Sequence, residues 1–171
     1  MNHSDREPSH PSIGVKEFWR VLGERAVGAT IVTASDANGR AGLLALSVAH
    51  VSADPPIVLV SVDHRTSARN TIREAGHFAV NILADSSLET AQRFGGAGPL
   101  KGADRFEDGR WSQLTTGAPI FLDALAALDC LVEECVERPT TAIFLGRVVA
   151  SMSKGEGRPL VYFRGAYTSL G

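Results

Sequence analysis

Residues 42–63, GLLALSVAHVSADPPIVLVSVD, decide the fold. Gly42 to Ser52 reads as one strand, Asp54-Pro55-Pro56 as a turn, and Ile57 to Val62 as a second strand. The second strand is almost wholly apolar, which predicts burial on both of its faces. A polar segment, His64 to Ser67, then leads straight into a helix over Thr66 to Ala75.

Upstream, Gly28 to Ser35 (GATIVTAS) is rich in β-branched residues, and Asp36-Ala37-Asn38-Gly39 predicts a tight hairpin into the Gly42 strand. Val15, Phe18, Trp19 and Leu22 recur at helical spacing, so Val15 to Arg25 is predicted to be an amphipathic helix covering one face of a sheet. Downstream, Phe78 to Leu83 reads as a strand and Ser86 to Phe94 as a helix opened by a serine cap. From Gly95 to Thr116 glycine and charge replace periodicity over a length unusual for a connector, which predicts a functional lid or a mobile loop. Ala126 to Glu137, Ala142 to Ser151 and Leu160 to Phe163 read as further strands. Six or so strands with hairpin signals and few helices predict a mainly β protein, an antiparallel barrel with peripheral helices.

The 171 residues suit one domain, predicted over 15–171 behind a flexible tail over 1–14. A net charge of -2 without a large Lys/Arg cluster argues against nucleic acid as a partner. No apolar run approaches the roughly 20 residues of a membrane span, and the polar start lacks a signal-peptide core, so the expected address is the cytoplasm. Cys130 and Cys135 lie five residues apart in one predicted strand. That spacing places them on opposite faces as reduced, packed thiols. His3 and His10 fall in the tail, and His50, His64 and His77 on separate elements, so no metal is assigned. Ser47 has no Gly-x-Ser-x-Gly elbow around it, and no residue is assigned a nucleophilic role.

Arg65, Thr66 and Ser67 join a cation and two hydroxyls to a helix start, whose free N–H groups and dipole favour an anion. Arg69 and Asn70 follow the hydroxyls three residues on, so there is no capping box to occupy those donors. A phosphate site and a plain N-cap beside a surface arginine are both open readings.

In order and spacing, the 42–63 stretch together with HFAVNIL (77–83), Gln92-Arg93-Phe94, Gly117-Ala118-Pro119, LAALDC (125–130), AIFLGRV (142–148) and PLVYFRGAY (159–167) resembles the short-chain flavin reductase family over residues 15–170. The resemblance implies a Greek-key split barrel, a homodimer that binds FMN or FAD near the subunit interface and reduces it with NADH or NADPH. It also implies a flavin-dependent monooxygenase that receives the reduced flavin. The strand at Leu44, Ala45, Leu46 and Ser47 would lie along the flavin, its backbone meeting the polar edge of the ring and the ribityl chain. Leu44, Leu46 and His50 stand where the family carries hydroxyl or small polar residues, while Ser47 and Ser52 keep theirs. The phosphate would fall to Arg65, Thr66 and Ser67.

Asn81 matches the family and reads either as a ligand of the ribityl chain or ring, or as a strand-end cap. Thr141 replaces the family's histidine near the nicotinamide. Arg164 would meet the nicotinamide cofactor or the partner's flavin, or else form a surface salt bridge. A non-catalytic flavin- or small-ligand-binding barrel and a structural oligomerisation module are the alternatives to a reductase.

Overall fold

The Asp36–Gly39 hairpin forms where its turn residues put it, the Asp36 carboxylate accepting the backbone N–H groups of Asn38 (2.7 Å) and Gly39 (3.1 Å). A computed structural model describes residue 10 and residues 12–170; the expected tail over 1–14 falls largely outside them. Among the described residues three α-helices, α1 (Val15–Leu22), α2 (Ser67–Ala75) and α3 (Leu88–Phe94), accompany twelve strands. The strands are β1 (Val27–Gly28), β2 (Thr30–Asp36), β3 (Gly39–Ala45), β4 (Ala49–Ala53), β5 (Pro56–Asp63) and β6 (His77–Ile82). There follow β7 (Trp111–Gln113), β8 (Pro119–Phe121), β9 (Ala126–Glu137), β10 (Thr141–Ser153), β11 (Leu160–Phe163) and β12 (Ala166–Ser169).

Seven strands form one sheet in the order β3-β2-β6-β9-β10-β5-β4, every pairing antiparallel. β1-β11-β12 and β7-β8 make two small sheets. Consecutive strands β3 and β4 therefore occupy opposite edges. Flat, those edges would stand roughly 29 Å apart, six spacings of about 4.8 Å. The four steps of chain from Ala45 to Ala49 reach only about 14 Å. The sheet must curl. Its inner face closes on Val32, Val58, Val60, Val62, Phe78 and Phe144, with Ile72 of α2 packed into the same cluster. α2 stops at Gly76, whose left-handed φ of 68° lets its N–H reach the Ile72 carbonyl. The predicted class holds as a mainly antiparallel β fold, with the edges brought together rather than joined by a ladder.

Several local expectations change. The single strand predicted over Gly42 to Ser52 breaks at Leu46–Val48, where the chain crosses between edges. β5 alternates, burying Val58, Val60 and Val62 but leaving Ile57 and Leu59 half-buried, so its apolar run is covered on one face only. α1 buries no residue: Val15, Phe18 and Trp19 are 73%, 46% and 63% exposed, and it does not cover a sheet. Ser87 stands at the N-cap of α3, yet its hydroxyl makes no capping bond. The 95–116 segment is pinned rather than free. Phe94, Phe106, Trp111 and Phe121 stack in a row with centroids 4.7–5.0 Å apart, and buried Asp129 accepts the Thr116 N–H (2.8 Å).

A bulge in β9 also overturns the cysteine geometry. Val132 pairs with Gly146 and Glu134 with Leu145, so Glu133 is the extra residue and the side-chain alternation shifts by one. Cys130 and Cys135 consequently share the inner face, both free, roughly 15 Å apart along the strand. Burial, aided by neighbouring Asp129, pushes the Cys130 thiol up to about 12.

Gly146 is the tightest point of this core: a Cβ there would fall 2.4 Å from Phe78 Cζ and 2.9 Å from Cys130 Cβ. Gly146→Ala is expected to destabilise the fold by about 1–3 kcal/mol through overpacking, measured by urea unfolding.

Candidate functional site

The crossing from β3 to β4 builds one side of a cleft of about 600 Å³. Leu44, Leu46 and Ser47 line it from the crossing, Trp19 and Leu22 from α1, and Tyr162 and Gly165 from the β11–β12 hairpin. The walls are mostly apolar, and the volume lies within the roughly 300–1,000 Å³ of small-ligand sites. Arg25 adds the cleft's charge, its Nη2 3.3 Å from the Leu46 carbonyl. A flat heteroaromatic ring with one polar edge fits this combination of walls and strand backbone.

Ser47 joins the cleft to the rest of the site. Its hydroxyl donates to the Ser61 carbonyl and accepts the Ser61 N–H, each at 3.1 Å. Two residues further along the same face of β5, roughly 7 Å away, stands Asp63, and α2 begins just beyond. Thr141 lies opposite Asp63 in the β5–β10 ladder. The fold thus brings Arg65, Thr66, Ser67 and Thr141 to one end of β5, and Leu44, Leu46 and Ser47 to a cleft a short way along it.

The α2 start is not a bare cation beside two hydroxyls. Arg65 grips the Asp63 carboxylate with Nε (3.0 Å) and Nη2 (2.8 Å), and its backbone N–H donates to the same group (2.8 Å). Behind it Glu137 collects Arg69 (2.7 Å), His64 (3.0 Å) and Arg73 (3.4 Å). Three arginines against two carboxylates leave one net positive charge here, before His64 is counted. Thr66 occupies the N-cap position without a side-chain capping bond, so its hydroxyl satisfies none of the first-turn N–H groups; that of Arg69 closes on the Thr66 carbonyl (3.2 Å). The side-chain and backbone N–H bonds of Arg65 pull the Asp63 carboxyl down to about 2, and Arg69, with His64, holds Glu137 below the usual range.

Other candidates have structural roles. Asn81 is fully buried. Its amide donates to the Ile31 carbonyl (3.1 Å) and Thr33 Oγ1 (3.2 Å), and its Oδ1 accepts the Phe121 N–H (2.8 Å). Those bonds use the side chain up, and it does not line the cleft. Ala45 is a core residue whose carbonyl accepts the Thr30 hydroxyl (2.6 Å). Ser52 donates to the Pro55 carbonyl, bracing the β4–β5 turn. His50 is exposed on edge strand β4. Arg164 takes a left-handed φ of 49° in the two-residue turn between β11 and β12 and grips Glu24 at 2.6 and 2.9 Å. It latches that hairpin to the end of α1, behind Gly165. Trp19, Arg25 and Tyr162 were not legible as site residues, since no motif surrounds Arg25 and the helical spacing of Trp19 reads as core packing.

These features belong to a known class: the chain is a member of the flavin reductase like domain family, whose model matches residues 22–171. The reductase subunit HsaB of a flavin-dependent monooxygenase from Rhodococcus jostii is 33% identical over 159 residues, 93% of this chain and 80% of that protein. An FMN reductase (NADH), RutF, from Ancylobacter novellus is 32% identical over 160 residues, 94% of this chain and 87% of its own length. The solved structure of the NADH:FAD oxidoreductase SgcE6 from Streptomyces globisporus superposes with a TM-score of 0.84 at 26% identity, covering 96% of this chain and 99% of that one.

Asn81→Ala is expected to cost about 1–3 kcal/mol of stability in thermal or urea unfolding, because the buried Phe121 N–H loses its acceptor. Flavin affinity of the folded variant is expected to stay at the wild-type value. Folding lowers the Asp63 pKa, so the contribution of its pair with Arg65 is complete above the unfolded carboxylate range near pH 4 and is lost as pH falls through about 2. Carboxyl NMR titration checks this, with Asp63 expected to remain ionised to about pH 2.

Proposed function

We propose that the protein is an NAD(P)H-dependent flavin reductase that lends reduced flavin to a separate monooxygenase. The observation that carries this reading is the continuity of two half-sites: an apolar cleft beside strand backbone at Leu44–Ser47, joined through Ser47 and Ser61 to a helix start with net positive charge. One suits a flavin ring and the other its phosphate. The relatives named FMN reductase (NADH) and reductase subunit of a flavin-dependent monooxygenase support both the reductant and the downstream partner.

Hydride passes from nicotinamide to flavin, and the two small molecules supply that chemistry themselves. The chain's part is to hold and shield. Leu44 and Leu46 give the ring an apolar bed, while backbone groups of the crossing strand meet its polar edge. Thr66, Ser67 and the α2 N–H groups bind phosphate, and Arg65 adds a cation already paired with Asp63. Thr141, beside Asp63, offers at most one hydroxyl contact where the family places an imidazole. FMN and FAD both carry the phosphate that the α2 site would take.

The outer faces of β5, β10 and β9 expose Ile57, Leu59, Ile143, Leu145 and Val136 as one half-buried apolar patch beside the site. A homodimer that closes face to face over this patch covers it, and shields the flavin from solvent. The same reading places the protein in the cytoplasm, where nicotinamide reductant is made and Cys130 and Cys135 stay reduced.

Purified protein loaded with FMN is expected to show flavin absorption that bleaches under anaerobic NADH; bound flavin that does not bleach with NADH or NADPH favours a non-catalytic flavin carrier. Sedimentation is expected to give a dimer at micromolar concentration. Leu145→Asp is expected to yield monomer with flavin affinity reduced at least about tenfold, the cost of setting a charge against an apolar interface.

A further inference from the structure

We propose that Arg25 is the cation that meets the polar edge of the flavin ring and favours its reduced, anionic form, a role that rests on the reductase reading above. Among the residues lining the cleft Arg25 is the one charged side chain. Its neighbour Glu24 is taken by Arg164, and among the described residues no carboxylate stands within salt-bridge distance of Arg25. The cleft therefore holds an uncompensated positive charge, on an exposed side chain, beside apolar walls. The bond from Nη2 to the Leu46 carbonyl fixes that charge at the β3–β4 crossing. The carbonyl that takes this bond belongs to the crossing itself. A ring with one apolar and one polar end settles with the first along the side-chain walls and its pyrimidine edge toward Leu46 and Arg25.

Charge balance shows what the guanidinium does there. Hydride transfer breaks the C4–H bond of NADH and makes an N5–H bond on the flavin, carrying two electrons and one proton. NADH leaves as NAD⁺, and the reduced ring is left with one negative charge spread over N1 and the C2 carbonyl. No further proton is needed. A cation at that edge stabilises the anionic product more than the neutral oxidised ring, so it raises the potential of the bound flavin and helps the hydride across.

Anaerobic redox titration of the full chain saturated with FMN, followed by visible absorption at neutral pH, tests the assignment without turnover. Arg25→Gln keeps a donor for the Leu46 carbonyl but removes the charge. It is expected to lower the midpoint potential by at least about 30 mV, a tenfold shift in the relative affinity for reduced and oxidised flavin in a two-electron couple. Arg25→Lys retains the charge and is expected to recover at least half of that drop. A wild-type potential in Arg25→Gln, with FMN bound and circular dichroism unchanged, overturns the role. Failure of the wild-type chain to bind either FMN or FAD overturns the reductase reading instead, and shows itself before any variant is made.

Discussion

The three residues between β3 and β4 set the shape on which everything else depends. Leu46–Val48 carry the chain from one edge of a seven-stranded sheet to the other, and so short a link leaves the sheet no flat alternative. Where the edges meet, no ladder closes them. The Ser47 hydroxyl instead acts as both donor and acceptor toward the Ser61 backbone, satisfying a peptide group that a ladder would otherwise satisfy. The concave side of the curl becomes the valine- and phenylalanine-lined core, plugged by Ile72 of α2. The gap between the edges becomes a place where strand backbone can meet a ligand.

A second set of constraints fixes the outside of the curl. Asn81 ties β6 to β2 and to β8 in a single buried side chain, and Asp129 ties β9 to the loop at Thr116. Each satisfies backbone donors or acceptors that burial would leave unpaired, which is how a long glycine-rich segment can lie over a sheet without regular structure. The aromatic row from Phe94 to Phe121 fills the space beneath it. At the α2 start the same logic operates with charge: arginines and carboxylates hold each other in place and leave a small positive surplus for an incoming anion.

Much of this was legible in the sequence, because β-branched runs, the Asn38-Gly39 turn and the long β9–β10 pair are local signals. What escaped is set by distant partners. LALSVA, residues 44–49, contains no Gly, Pro, Asn or Asp; the strand breaks where the backbone of Ser61, sixteen residues beyond Ala45, holds the Ser47 hydroxyl and Arg25 holds the Leu46 carbonyl. The bulge at Glu133 leaves no mark in composition, yet it reverses the face of Cys135. β7 and β8 are three residues each, too short to show a period. The family pattern pointed to Asn81 and Arg65 as ligands, and it could not show that Phe121 and Asp63 engage them first. Ile57 and Leu59 on the outer face of β5 are only half-buried by their own chain, a fact that pattern alone cannot separate from burial in a core.

The meeting of β3 and β4 also bears on how this protein avoids aggregation. Exposed sheet edges are templates on which foreign strands can add, and natural sheets blunt them. Here the two terminal strands of the large sheet face each other across Ser47. β4 is only five residues long, carries a register break between His50 and Ser52, and ends against Pro55 and Pro56. β3 is flanked by α3 and the turn at 102–105. Little backbone is left to recruit a neighbouring strand. Another polypeptide can approach this sheet only through side chains, which makes association a matter of matched surfaces rather than of indiscriminate strand addition.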